Sequence, residues 1–588
     1  MVPPNSGPTI AEQCFGDATV SPELDWTYAR QNLSGPGNAG MNIAYAAVDR
    51  HVAAGRGDRP AILSLGRRYE KRRLSYAQLA DLSARLAAVL AAHGVGAGDK
   101  VAVLTGRSVE LYVAAFGCWK VGAVYCPLFS AFGPGPLKSR LELSRAKVLI
   151  ATEELYRRKI AAQRPALPDL QTVLLVGADG EMVETDGALD FNAAISAAQP
   201  APILATTPET PAFLHFTSGT TGTPKGVLHS HSAVVAEALT ARQVFGLVPD
   251  DVFWCTADPG WITNTAYALI APLANGCQVV VDEDDFDPRR WYGILKDEKV
   301  TVWYTTPTNI RMMMRYGAAL ARAYKENSLR VAASVGEPLN PEAVAWGEKA
   351  LGVPFLDTWW QTETGAIAIA NCPGKAKAGS MGMPLPGVEA AVISRDLSSV
   401  TPVGRADEVG ELALRADLPS MFTAYMGEGA NYDLSFIDGW YLTGDLVRRD
   451  ADGCFWFVGR ADDMIKSASH TIGPFEVECG LMDHPAVAEI GVVGKPDLLL
   501  REVPVAFISL NPGFEAGEAL RVELLTFARQ CLGGTLAPRE IHFVDSMPKT
   551  TTGKILRRAL KAKAVAEPEE DGEPLIVPVM APGRFDDE

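Results

Sequence analysis

Residues 216–227 read FTSGTTGTPKGV and follow directly on a short apolar run, AFLHF at 212–216. The apolar run reads as a buried strand. The segment after it consists of Thr, Ser and Gly, and closes with Pro224, Lys225 and Gly226. Gly219 and Gly222 free the backbone to take positive φ, so that successive N–H groups converge on one anion. The hydroxyls of Thr217, Ser218, Thr220 and Thr221 add donors, and Lys225 adds a full positive charge. A strand that runs straight into such a loop suits a polyphosphate better than a surface linker. The spacing of Gly219, Gly222 and Lys225 departs from G-x-x-x-x-G-K-[ST], which excludes a P-loop.

Outward from this loop, strand and helix patterns alternate. Upstream, LSYAQLADLSARLAAVLAAHG at 74–94 has helical spacing with alanine and leucine on one face and a glycine stop. Short apolar strands follow at 100–106, 122–128, 146–152 and 172–178, with a helical segment, SVELYVAAFGCWK, at 108–120. A second series follows the loop, with CQVVVDE at 277–283 and VTVWYTT at 300–306. This alternation predicts parallel sheets covered by helices. Near residue 460 the text turns polar, in GRADDMIK at 459–466, and a unit of about 100 residues follows that reads as a small α+β domain on a hinge. The expected divisions are an N-terminal extension over 1–40, a large domain over 41–460, a small domain over 461–565, and an acidic, Pro-rich, disordered tail over 566–588.

The chain has 588 residues, enough for two or more domains, and its 47% hydrophobic and 21% charged composition is that of a globular protein. No run of 18 apolar residues appears, so no membrane span is expected. The start, MVPPNSGPTIAEQ, lacks a basic segment followed by an apolar one, so no secretory signal is read there. Nine cysteines without a CxxC pair argue against a disulfide framework or zinc site and predict reduced thiols in the cytoplasm. A net charge of −16 argues against nucleic acid as a partner.

The loop at 216–227 resembles the phosphate-binding signature of the adenylate-forming superfamily, which includes acyl-CoA synthetases, adenylation domains of peptide synthetases and luciferases. The likeness runs from about residue 40 to residue 562, and further motifs fall in the family's order. Within the superfamily it points to the acetyl-CoA synthetases. The resemblance implies an α/β fold: a large N-terminal domain of helix-covered, mostly parallel sheets with a distorted β-barrel, plus a small mobile α+β C-terminal domain. It implies an acetate–CoA ligase that forms AMP through an acyl-adenylate, using ATP, Mg²⁺ and coenzyme A, with rotation of the small domain between half-reactions.

The same resemblance assigns residues. DTWWQTETG at 357–365 would border the nucleotide with Asp357, Thr358, Trp359 and Gln361, touch the α-phosphate with Thr362, and hold Mg²⁺ with Glu363. Gly336, Glu337 and Pro338 would form the adenine shelf. Asp445, read as lying at the end of a strand, would accept both ribose hydroxyls, with Arg460 reading the same ribose and Asp462 acting as the hinge. Lys554, in PKTTTGKILRR, would bridge carboxylate and α-phosphate with Thr217 in the catalytic group, and Arg529 would hold the CoA 3′-phosphate. HPAV at 484–487 resembles a small-domain cation site. Trp261, Ile262, Thr263, Val335 and Trp360 would wall the acyl pocket. A tryptophan at 360 closes the pocket floor, which implies acetate, with propionate as a poorer substrate. Control of Lys554 by a lysine acetyltransferase and deacetylase also follows from the resemblance.

Three departures stand out. Ser469 replaces an expected glycine, and Thr471 and Thr551 replace expected arginines. They lead to the expectation that adenylation is retained while thioester formation is slower or altered. Ligation of another small acid, transfer to a separate carrier protein, or a catalytically idle nucleotide-binding paralogue are the competing readings.

Overall fold

The computed structural model describes residues 26–35, 40–178, 181–183, 185–218, 224–324, 327–371, 376–395, 400–426, 432–461, 463–467, 470–497, 500–549 and 555–566. The chain packs as two units, residues 1–457 and 458–588.

Two large sheets build the first unit. In the nine-stranded sheet, Pro60–Leu65, Gln278–Asp282, Val252–Cys255, Val302–Thr305, Val331–Ser334 and Phe355–Trp359 lie side by side, all parallel. Their sequences are mostly apolar, as in QVVVD and VWYT, as strands covered on both faces require. The register Ile62↔Val279 joins segments more than 200 residues apart in the chain. The eight-stranded sheet has a parallel centre of Val124–Pro127, Lys100–Leu104, Val148–Thr152 and Thr172–Val176. Each of these strands falls within a segment that the sequence pattern marks.

The covering helices start where polar caps allow it. Tyr76–Ala92 opens on a capping box: Ser75 Oγ accepts from Gln78 N at 3.2 Å, and Gln78 Oε1 accepts from Ser75 N at 2.8 Å. It buries Leu79, Leu86 and Leu90. Val109–Lys120 is capped by Ser108, whose Oγ accepts from Leu111 N at 3.2 Å.

A third, six-stranded antiparallel sheet contains Ala390–Arg395, Gly410–Arg415 and Trp440–Arg449. Antiparallel pairs also flank the parallel centres of the two large sheets.

The small unit has its own sheet, with Val487–Asp497 and Arg501–Leu510 antiparallel and Glu540–Phe543 parallel to the latter. Ile472, Val477, Val492, Ile508 and Leu524 form its core with helices Pro474–Met482 and Glu518–Leu536. Arg557 grips Glu478 with two hydrogen bonds, at 2.7 and 3.0 Å. Among the described residues no helix is long and apolar enough to cross a membrane.

Candidate active site

In an open α/β sheet, ligands bind beyond the carboxyl ends of the strands. Four neighbouring strands of the nine-stranded sheet deliver candidate residues in this way. Trp261, Ile262 and Thr263 follow Val252–Cys255, and Val335 to Pro338 follow Val331–Ser334. Trp360 to Glu363 follow Phe355–Trp359, and helix Pro307–Arg315 follows Val302–Thr305.

The described phosphate-loop candidates, Thr217, Ser218 and Lys225, lie on two paired strands. Pro211–Ser218 pairs antiparallel with Pro224–Ser230, and Thr217 stands opposite Lys225. A strand therefore returns immediately, where a P-loop would start a helix. The sequence pattern did not mark this second strand. Gly219, Thr220, Thr221 and Gly222 lie outside the described residues. Gly226 must be small: a Cβ there would come within 3.0 Å of Met426 Cβ and 3.1 Å of Leu214 Cδ1. On the first of these strands, His215 is buried against Gly260 O at 3.2 Å and Thr265 Oγ1 at 2.9 Å, and burial pushes its pKa down to about 3.

The shelf candidates are arranged by backbone. Gly336 has φ +93°, and a Cβ there would approach the Trp261 ring to 3.2 Å. The wall candidate Trp261 and the shelf candidate Gly336 are thus close neighbours, and the positive φ at 336 favours glycine. The Glu337 carboxylate turns to Arg311 and Thr308, each at 2.6 Å.

Asp357 and Thr358 point into the protein. Thr358 Oγ1 donates to Ser334 O and meets Tyr304 Oη, both at 2.7 Å. Asp357 accepts weakly from Leu339 N at 3.4 Å, and burial pushes its carboxyl up to about 8. Trp360 is buried, donates from Nε1 to Tyr304 Oη at 3.0 Å, and packs edge-on against Tyr267 at 5.1 Å. Ile262, Thr263 and Val335 are buried as well.

Trp359 and Gln361 converge on Asp445. Trp359 Nε1 donates to Asp445 Oδ2 at 2.9 Å, and Gln361 Nε2 donates to the same oxygen at 3.0 Å. Tyr441 in turn donates to Gln361 Oε1 at 2.8 Å. Asp445 lies not at a strand end, as expected, but inside Trp440–Arg449. The register shifts between Glu411↔Leu446 and Ala413↔Leu442, so Thr443, Gly444 and Asp445 form a bulge. Gly444 takes φ +71°, and its N–H donates to Glu411 Oε1 at 3.0 Å. The bulge re-aims Asp445 while pairing resumes on both sides. A Gly-Asp step read from sequence marks the irregularity but not the continuation.

Thr362 and Glu363 lie half-buried on the turn after Trp360, a turn in which Gln361 N donates to Thr364 Oγ1 at 3.0 Å. Glu363 Oε1 accepts from Tyr425 Oη at 2.9 Å, while Oε2 has no protein partner among the described residues. A half-exposed carboxylate oxygen of this kind is a fitting hard ligand for Mg²⁺. Tyr425 is a member of the site that no sequence motif marked.

In the small unit, Arg460 ends the strand Phe455–Arg460, and Arg529 is exposed on Glu518–Leu536. Thr471 pairs with Lys466 in the sheet. Asp462, Ser469, Thr551 and Lys554 lie outside the described residues. The residues flanking 550–554 are tied together: Lys549 bridges Ile555, and Leu556 N donates to Pro548 O at 2.9 Å.

With this geometry in place, similarity to known proteins is informative. The profile of the AMP-binding enzyme family matches residues 49–426, and that of the AMP-binding enzyme C-terminal domain matches residues 476–554. The chain is 41% identical to an acetyl-coenzyme A synthetase of Bacillus subtilis, over 93% of this chain and 95% of that one. It is 39% identical to an acetyl-coenzyme A synthetase of Streptomyces coelicolor, over 94% and 87%. Among solved structures, a Brucella canis acyl-CoA synthetase matches with TM-score 0.71 and 35% identity, covering 92% of this chain and 97% of that one. The anthranilate CoA ligase AuaEII, solved in complex with anthranoyl-AMP, matches with TM-score 0.79 and 29% identity, covering 90% and 98%.

Proposed function

The chain belongs to the family of AMP-binding enzymes, and from that premise we propose that it is an AMP-forming acetate–CoA ligase. In the first half-reaction a carboxylate oxygen of acetate attacks the α-phosphorus of ATP. The bond from that phosphorus to the bridging oxygen breaks, and pyrophosphate leaves. In the second, the CoA sulfur attacks the acyl carbon of the adenylate, AMP leaves, and the thiol proton passes to solvent.

Two anions meet in the first step, so fixed donors and cations must face the developing charge. Thr217, Ser218, Gly219, Thr220, Thr221, Gly222 and Lys225 are assigned to the polyphosphate, and Thr362 to the α-phosphate. Glu363 would hold Mg²⁺, which when bound supplies positive charge against the phosphate oxygens. Asp445, oriented by Trp359 and Gln361, is assigned to the ribose hydroxyls together with Arg460. Gly336, Glu337 and Pro338 would carry the adenine. Lys554 is assigned to bridge the two reacting anions, and Arg529 to the CoA phosphate. The cytoplasm is the proposed place of action.

The observation that supports the choice of acid is the anchoring of the bulky Trp360 side chain, whose Nε1 donates to Tyr304 Oη and whose ring packs on Tyr267. Trp360 is buried, and the other wall candidates Ile262, Thr263 and Val335 are buried too. A tryptophan so held, assigned to the pocket floor, favours a two-carbon acid. One methylene is worth about 1–3 kcal/mol of discrimination, so propionate is expected to turn over more slowly rather than not at all.

The test is AMP formation from ATP and Mg²⁺ with acetate or propionate, with and without CoA, alongside detection of the acyl-CoA. Acetyl-CoA formed in preference to propionyl-CoA supports the ligase. Pyrophosphate exchange without acyl-CoA would instead favour adenylation with impaired thioester formation, the reading that Ser469, Thr471 and Thr551 motivate. Acetylation of Lys554 would remove its charge and switch off the first step. Mass spectrometry that finds Lys554 unmodified in both active and inactive preparations would exclude this control.

A further inference from the structure

Tyr425 lies between two candidate groups that the sequence motifs treat separately. It sits on the short strand Ala424–Met426, which pairs antiparallel with the strand Pro224–Ser230, Tyr425 opposite Val227. Its hydroxyl donates to Glu363 Oε1 at 2.9 Å. Its ring lies against the ammonium of Lys225, whose Nζ is 5.3 Å from the ring centroid. Three residues earlier, Phe422 N donates to Glu363 O at 2.8 Å. One segment therefore holds Glu363 by both its main chain and its carboxylate, and meets the phosphate-loop candidate Lys225 at the same place.

We propose that Tyr425 is a positioning residue for the metal–nucleotide complex. Its hydroxyl fixes the Glu363 carboxylate so that Oε2 is left for Mg²⁺, and its ring holds Lys225 beside the same polyphosphate. This rests on the roles proposed above for Glu363 and Lys225. A glutamate on a turn otherwise spreads over several rotamers, and ordering it on metal binding carries an entropic cost. The strand pairing of Ala424–Met426 means that the tyrosine arrives already placed. The Phe422 ring, 4.8 Å from that of Tyr425 and 5.9 Å from that of Tyr441, backs it. Tyr441 also bonds Gln361 and, through it, reaches Asp445. The metal and ribose candidates thus share one aromatic support.

The experiment measures Mn²⁺ binding by electron paramagnetic resonance in the presence of α,β-methylene-ATP, and acetate-dependent ATP–pyrophosphate exchange against free Mg²⁺. Tyr425→Phe removes only the hydroxyl. It is expected to weaken Mn²⁺ binding about tenfold and raise half-saturating Mg²⁺ by a similar factor, with kcat recovered at high Mg²⁺. Tyr425→Leu removes the ring as well, and is expected to weaken metal-free nucleotide binding too.

Wild-type Mn²⁺ affinity in Tyr425→Phe, with affinity lost in Glu363→Gln, overturns the positioning role alone. Wild-type affinity in Glu363→Gln overturns the metal assignment, and the proposal with it. Phe422→Leu disturbs the packing and spares the hydroxyl. An equal loss of Mn²⁺ affinity in that variant would reduce Tyr425 to a packing residue.

Discussion

At Asp445 a single carboxylate oxygen is the shared acceptor of Trp359 and Gln361. Asp445→Ala leaves both donors in a buried site without their acceptor, at a cost of about 1–3 kcal/mol. Thermal unfolding should register that loss, and the apparent KM for ATP should rise at least about tenfold while that for acetate stays near wild type. Equal rises for both substrates would count against the ribose assignment. Asp357 gives a prediction in pH. Its carboxyl is held near 8 in the folded state, far above its ordinary value, because burial disfavours its charge. Folding thus favours the protonated form. Its contribution is fully present below about pH 4, declines as pH rises through the window up to about 8, and is gone above it. Urea unfolding from pH 5 to 9 should show wild type losing stability relative to Asp357→Asn as pH rises. Parallel curves would show that Asp357 is ionised throughout.

At the scale of elements, the bulge in Trp440–Arg449 shows what a sequence does and does not reveal. Gly444-Asp445 is visible as a break, yet the strand continues, because Gly444 takes the left-handed conformation without leaving the ladder for long. Gly444→Ala forces a Cβ into that conformation at about 1–2 kcal/mol, and shifts Asp445 with it. A lower melting temperature together with a raised ATP KM is expected, and a lower melting temperature alone would separate the bulge from the site. Parallel strands were legible because burial on both faces demands mostly apolar runs, as in QVVVD and VWYT. The return strand Pro224–Ser230 was not, since PKGVLHS carries a lysine, a glycine and a histidine in seven residues. Tyr425 was invisible for another reason: its partners Glu363 and Lys225 are distant in sequence, and only strand pairing brings them to it. The inward turn of Thr358 was equally hidden, since a threonine beside two tryptophans reads the same whether it faces the ligand or the core.

At the scale of the whole molecule, the small unit closes its own core around Ile472, Val492, Ile508 and Leu524, and adds the Arg557–Glu478 pair. Residues 458–588 expressed alone should therefore unfold cooperatively on heating, with a dispersed amide spectrum. A featureless melt would mean that this core needs the rest of the chain. The large unit faces a different constraint. Its nine-stranded sheet sets Pro60–Leu65 directly beside Gln278–Asp282, and every strand of the eight-stranded sheet except Ala424–Met426 is made in between. On the ribosome the earlier strand must wait for its neighbour, for about 10–40 s at ordinary rates of synthesis. During that interval the nascent chain carries Ala61, Ile62 and Leu63 with one edge unpaired, a surface that chaperones or a neighbouring nascent chain can claim first.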